Sequence, residues 1–173
     1  LIEVTVVLML MAVAAGAVGW AMTDARTAAT RDDAVDRIRF TDHLARSVAR
    51  RTGKPVTLRF DVAANTVRRV EGAASSATTG HVTTLPQPHR LERVRTPGQP
   101  SGFAQQHEVD IAIGPTGQSP TYAVKISARA ADQASGAFVD DWVVVAGASG
   151  QITRVDDEQT VDELLATLGV QSE

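Results

Sequence analysis

The chain has 173 residues, with 17 basic against 20 acidic side chains and a formal charge of −3. Once an apolar leading stretch is set aside, what remains suffices for one modest globular domain, and the near-balanced charge argues against nucleic-acid binding by that domain as a whole. There is no cysteine, which excludes disulfides, thiolate metal sites and a cysteine nucleophile together.

The leading stretch carries no charge between Glu3 and Asp24. Its 19 positions from Val4 to Met22 make a helix of about 28 Å at roughly 1.5 Å per residue, enough to cross a hydrocarbon core of about 30 Å. Trp20 falls where an interfacial aromatic belt would lie. The Gly16-x-x-Gly19 pair permits close helix approach, or local loosening, since a glycine costs a helix roughly 1 kcal/mol. Glu3 is a carboxylate at the lip of this run, where an unpaired charge costs up to roughly 3 kcal/mol at bilayer depth. No Lys or Arg precedes Arg26, so a cationic partner comes from outside the chain, or Glu3 rests among headgroups. A secretory signal peptide would open with basic residues and a shorter apolar run.

After Met22 the pattern turns one-sided. Ala28, Val35, Ile38, Ala45 and Val48 recur at three- and four-residue intervals, with Phe40 and Leu44 broadening the stripe, while charged residues that include Asp42 and Arg46 fill the rest. No proline interrupts Leu1 to Thr52, so both parts form one rod of roughly 75 Å. Arg46, Arg50 and Arg51 suit the negative end of the dipole, and Gly53 with Pro55 stops the helix.

From Val56 the period is two. Val56, Leu58 and Phe60 form a strand that returns, after a turn at 63–66, over Val67 to Val70. Residues 72–107 are rich in Gly, Pro and Ser and read as a flexible loop region, with a strand signal only from Arg90 to Arg95; it is long for a structureless connection in a compact domain, so part of it is either mobile or hides further short strands. Val109, Ile111 and Ile113 then alternate, and a Gly-Pro turn leads to Tyr122, Val124, Ile126 and Ala128, predicting a second hairpin; Ala137–Ala146 and Gln151–Val155 predict a third. Thr160 to Glu163 has capping-box spacing ahead of Leu164, Leu165 and Leu168, with Gly169 to close a short helix.

Residues that carry chemistry elsewhere read as structural here. His43, His81, His89 and His107 lack metal-ligand spacing, and His81 and His89 read as exposed loop residues. Ser149 lacks the Gly-x-Ser-x-Gly frame of a nucleophile elbow and reads as a turn residue. Asp140-Asp141 and Asp156-Asp157-Glu158 offer oxygen ligands for Ca²⁺ but no EF-hand loop, and read as solvated acids. Arg90, Arg93 and Arg95, with His89, form a local basic patch able to grip phosphates, without the interleaved aromatics that stack bases. No cofactor is expected, and nucleic acid is not expected as a partner.

Leu1 to Leu8 resembles the start of a mature type IV pilin or type II secretion pseudopilin, in which a prepilin peptidase cuts after a Gly and leaves Phe-Thr-Leu-Ile-Glu ahead of the apolar helix. On that resemblance the sequence begins two residues inside the mature protein, and Glu3 matches the glutamate that pairs with the methylated N-terminal amine of a neighbouring subunit. Arg51 to Phe60 is similar to the helix-to-strand junction of the GspH/FimT-like minor pseudopilins, Val109 to Ser119 to their strand and Pro-x-Gly turn, and Ala148 to Val155 to their closing hairpin. The helix after Asp156 is an addition to that pattern.

The resemblance implies a pilin-like α+β fold: a long N-terminal helix, membrane-spanning over 1–22 and amphipathic over 23–53, packed on an antiparallel β-sheet head over 54–173 that ends in a short C-terminal helix. It implies a minor pseudopilin of a type II secretion system, single-pass in the inner membrane with its head in the periplasm. The partners implied are other pseudopilins or pilins, the inner-membrane assembly platform, prepilin peptidase and membrane lipid. The alternative is a minor pilin that primes or tips a type IV pilus, in DNA uptake or adhesion. A membrane-anchored periplasmic enzyme would need perturbed polar residues gathered in a cleft, and no sequence motif marks one.

Overall fold

The computed structural model describes residues 2–71, 78–98, 107–129 and 138–169. Helix α1 (Ile2–Thr52) runs unbroken for 51 residues, about 75 Å at about 1.5 Å per residue, as its proline-free sequence predicts. It stops at Gly53, whose φ of 63° is a left-handed conformation that costs glycine nothing and whose N–H donates to the Ala49 carbonyl at 2.9 Å. From Ala34 onward one face is buried: Ala34, Val35, Ile38, Ala45, Val48 and Ala49. Phe40 does not join it. At about 100° per residue it lies nearly opposite Ile38 and Ala49, and it is 58% exposed.

Among the residues whose side chains are described, no helix is long and apolar enough to cross a membrane. The side chains of Ile2, Glu3, Leu8, Leu10 and residues 15–28 lie outside that description.

Among the described residues eight strands make two antiparallel four-stranded sheets. The first holds β1 (Val56–Asp61), β2 (Thr66–Glu71), β3 (Thr78–Thr84) and β5 (Glu108–Ile113) in the order β3-β2-β1-β5. The second holds β4 (His89–Arg95), β6 (Tyr122–Arg129), β7 (Phe138–Val145) and β8 (Ile152–Val155) in the order β4-β6-β7-β8. Two of the three expected hairpins are present, β1 with β2 and β7 with β8. Residues 72–107 are not one loop: β3 and β4 run through them, β4 covering the Arg90–Arg95 signal, while 72–77 and 99–106 lie outside the described residues.

The expected hairpin of β5 with β6 does not form. β5 pairs with β1, setting Val109, Ile111 and Ile113 opposite Phe60, Leu58 and Val56, all six buried. On the outer face of the same pair Arg59 meets Asp110 through two hydrogen bonds of 2.6 Å. β6 instead lies between β4 and β7, so residues 114–121 cross from one sheet to the other. Alternation fixes which side chains a strand buries and leaves its neighbour open.

The main core gathers Leu58, Phe60, Ile111, Tyr122, Val124 and Val143 of both sheets against Val35 and Ile38 of α1. A second cluster packs Ala123, Trp142 and Val144 of β6 and β7 against Val161 and Leu165 of α2 (Glu158–Gly169). The two central strands of the second sheet are therefore covered on both faces. α2 starts before the predicted capping box: Asp157 Oδ2 accepts from the N–H and the hydroxyl of Thr160, both at 3.0 Å. Asp157 is thus the N-cap, and these bonds hold its carboxyl below the usual range.

Candidate functional site

The feature that sets this molecule apart from an ordinary domain is how α1 divides. Ahead of Thr30 every described side chain is exposed, from Val4 at 62% and Met9 at 72% to Met11 and Val13. Glu3, Gly16 and Gly19 sit on this leading half, in continuous helix. From Thr30 the helix is gripped by the head at successive turns. The guanidinium of Arg31 forks onto the Asp141 carboxylate of β7 and reaches Asp156 at 3.4 Å. Asp32 accepts from Arg154 of β8 at 2.7 Å. Arg37 donates to the Thr84 carbonyl at 3.0 Å, and Thr41 shares a 2.8 Å bond with Thr83, both on β3. One helix is thereby tied to both sheets.

The strongest tie is a buried polar hub that sequence pattern alone did not suggest. Arg46 Nε donates to Asp42 Oδ2 at 2.6 Å, one helical turn back. Arg46 Nη1 donates to the carbonyls of Gly117 at 2.9 Å and Gly147 at 2.6 Å, and Nη2 to Ser119 Oγ at 2.8 Å. The other Asp42 oxygen accepts from the Tyr122 hydroxyl at 2.9 Å. Asp42, Arg46 and Tyr122 are all buried. Burial first, then the Asp42 carboxylate, push the Tyr122 hydroxyl well above its ordinary pKa, so it stays protonated and donates. The signal available was the helical period: Asp42 lies four residues past Ile38 and seven before Ala49, inside the apolar arc.

The hub reads two connections at once. Gly117 and Ser119 belong to the crossing between the sheets, and Gly147 to the β7–β8 turn. A Cβ on Gly147 would stand 2.0 Å from the Ser119 carbonyl oxygen, so that turn closes only on glycine. The Gly147 N–H donates to Thr121 Oγ1 at 3.1 Å, and that hydroxyl donates to the Leu168 carbonyl of α2 at 3.3 Å. A chain of hydrogen bonds thus runs from α1 through both turns to the end of α2.

The three arginines of the sequence-derived patch do not share an open surface. Arg90 is exposed. Arg93 leans towards Glu158 at 3.6 Å. Arg95 is buried under α2, meeting Asp162 at 2.5 Å and Glu158 at 3.4 Å with its guanidinium 5.8 Å from the Trp142 ring centre. β4 alternation turns Arg95 and Arg90 to different surroundings, and the acids of α2 neutralise the buried one.

His89 is not an exposed loop residue. It opens β4, is buried, and its Nε2 lies 3.3 Å from Thr30 Oγ1 on α1. Desolvation, then the Arg31 charge, hold its pKa below 6.5. Asp140 is taken by Lys125 at 2.7 Å and Asp141 by Arg31, while Ser149 accepts from the Gln151 N–H at 3.1 Å within its turn. Among the described residues no three His, Asp or Glu side chains gather as a metal set.

No protein-family profile and no curated protein matches the chain. Two solved structures of the minor pseudopilin EpsH from the type 2 secretion system of Vibrio cholerae superpose on it, each with a TM-score of 0.50 over 72% of this chain. They share 15% and 14% identity with it, and the match covers 95% and 96% of their own chains. The chain has the pseudopilin fold. In this pseudopilin-like head the long helix, the two sheets and the hub form one unit that holds α1 from Thr30 to Gly53 and presents its leading half to the outside.

Proposed function

We propose that the chain is a minor pseudopilin: a structural subunit, not an enzyme, of the periplasmic pseudopilus of a type II secretion system. The observation that carries this reading is an apolar, outward-standing half-helix joined without a break to a head of pseudopilin fold. The leading half resides in the inner membrane before assembly, with the head in the periplasm, after cleavage and N-terminal methylation by prepilin peptidase. In the filament it packs among the helices of other pseudopilins raised by the assembly platform.

Lipid is as apolar as the helix, so burial alone gives little preference for protein over membrane. The Glu3 carboxylate supplies that preference. A neighbouring subunit whose amine lies at the same depth relieves the charge, and one at another depth does not. Gly16 and Gly19 allow backbones to approach closely.

The test is Glu3→Ala in the full chain in its host. Secretion of the exported proteins should fall to the level of a deletion while the head keeps its melting temperature. Normal secretion with Glu3→Ala, or a deletion that abolishes piliation and spares secretion, would overturn the reading, the second in favour of a type IV pilus.

A further inference from the structure

Most surface arginines of the head are neutralised where they stand. Arg37, Arg39, Arg59, Arg68 and Arg154 each meet a carboxylate within 3.0 Å. Arg50, Arg51 and Lys54 are exposed and, among the described residues, meet no acid. These three gather at the end of α1 remote from its apolar leading half. The helix dipole favours cations in a last turn, and Arg50 and Arg51 lie there, but Lys54 stands past Gly53, outside the helix.

The Arg50 stem is seated. A Cβ on Gly117 would stand 3.1 Å from its Cγ and Cδ, so the glycine, at φ 86°, leaves the room in which the stem lies. The connections around it, 114–121 and 146–150, are bound by Arg46 one turn back and contain no charged residue. The whole chain carries a charge of −3, so this is a local positive surface on a negative molecule. We propose that Arg50, Arg51 and Lys54 form a docking surface for an acidic protein that presents clustered Asp and Glu carboxylates. The surface rests on the pseudopilin reading for its height above the membrane and adds a partner to that reading.

Charge calls for an anionic partner, and position and composition select its kind. From Met22 to Arg50 is 28 residues, about 42 Å of helix at 1.5 Å per residue, whereas headgroups add only about 5–8 Å to each side of a hydrocarbon core. Phosphates of the anchoring membrane are therefore out of reach. Nucleic acid would run past the three cations over a chain that is acidic in sum. Residues 47–55 also hold no aromatic side chain on which a base could stack. Clustered carboxylates match the paired N–H groups of guanidinium and need only a small face.

The test titrates full-length chain, in uncharged detergent micelles, with a labelled oligoglutamate peptide. Binding is the expected result, lost in about 1 M salt, where charges are screened beyond about 3 Å. Arg50→Gln, Arg51→Gln and Lys54→Gln together should weaken it about tenfold, because three exposed ion pairs worth roughly twofold each multiply to that. Arg90→Gln removes the other exposed cation that meets no acid among the described residues, and should leave binding unchanged. Glutamine retains most of the Arg50 stem, so the head's melting temperature should stay within a few degrees of the parent. Peptide binding that the triple variant leaves untouched overturns the surface. So does oligothymidylate that binds through the same three residues more tightly than the peptide. In the host the triple variant should lower secretion. Normal secretion with it, beside lost secretion with Glu3→Ala, overturns the surface and leaves the pseudopilin reading standing, and normal secretion with both counts against both.

Discussion

A single charged pair decides how firmly the long helix is held. Asp42 and Arg46 are buried one helical turn apart, and between them they bind Tyr122, Ser119 and the carbonyls of Gly117 and Gly147. Removing one member of such a pair leaves a desolvated charge, at a cost of about 3–5 kcal/mol. Arg46→Met should lose stability in that range in urea unfolding, and Tyr122→Phe, which withdraws one donor from Asp42, about 1–3 kcal/mol. If Arg46→Met melts like the parent, the hub does not fasten the helix. His89 gives the same region a pH dependence. Its folded pKa lies below 6.5 because burial and Arg31 disfavour the cation, with Asp33 opposing weakly. The unfolded chain therefore takes up the proton first. The stability that neutral His89 contributes is whole above pH of about 6.5 and declines as pH falls towards its folded pKa. Urea midpoints measured between pH 7.5 and 5 should drop for the parent and drop less for His89→Gln.

Elements differ in how much of them sequence could disclose. α1 was legible from its composition and period, and β1, β2, β7 and β8 from alternation with tight turns, because those signals are local. The partner of β5 was not: Val109, Ile111 and Ile113 fit equally an adjacent β6 or the distant β1, and matching with Phe60 and Leu58 on one face and Arg59 with Asp110 on the other selected β1. β3 was hidden because Thr78–Thr84 holds a single large apolar residue, Val82, and that one faces out. Asp42 and Arg46 were read as solvated charges because hydropathy ranks them so. Only Tyr122 and two glycine turns distant in sequence make their burial tolerable. α2 was found, and its cap misplaced by three residues, since Asp157 and Thr160 both satisfy a capping pattern. α2 also closes the outer face of β6 and β7, where Leu165 and Val161 cover Trp142 and Val144. Leu165→Ala should cost about 2–5 kcal/mol in urea unfolding, as for other buried leucines. A loss under 1 kcal/mol would mean that this helix is an ornament on the sheet.

At the scale of the whole molecule the two halves of α1 answer to different surroundings. The head grips the helix from Thr30 to Gly53 through both sheets, while the described side chains of residues 4–14 are all exposed. Their valines and methionines stand in water and gain by leaving it. A carboxylate at the centre of a membrane-inserted helix costs about 2.5–3.5 kcal/mol. Two of them, at Met9 and Met11, should outweigh the apolar gain of the remaining stretch. The full chain should stay with membranes through an alkaline carbonate wash, and Met9→Asp combined with Met11→Asp should move it into the soluble fraction. The head should melt at the same temperature in both, because the substituted positions stand clear of it. A doubly substituted chain that remained in the membrane pellet would show that the anchor lies elsewhere. A head that melted lower would show that the leading half packs on it in solution, contrary to the division of α1 at Thr30.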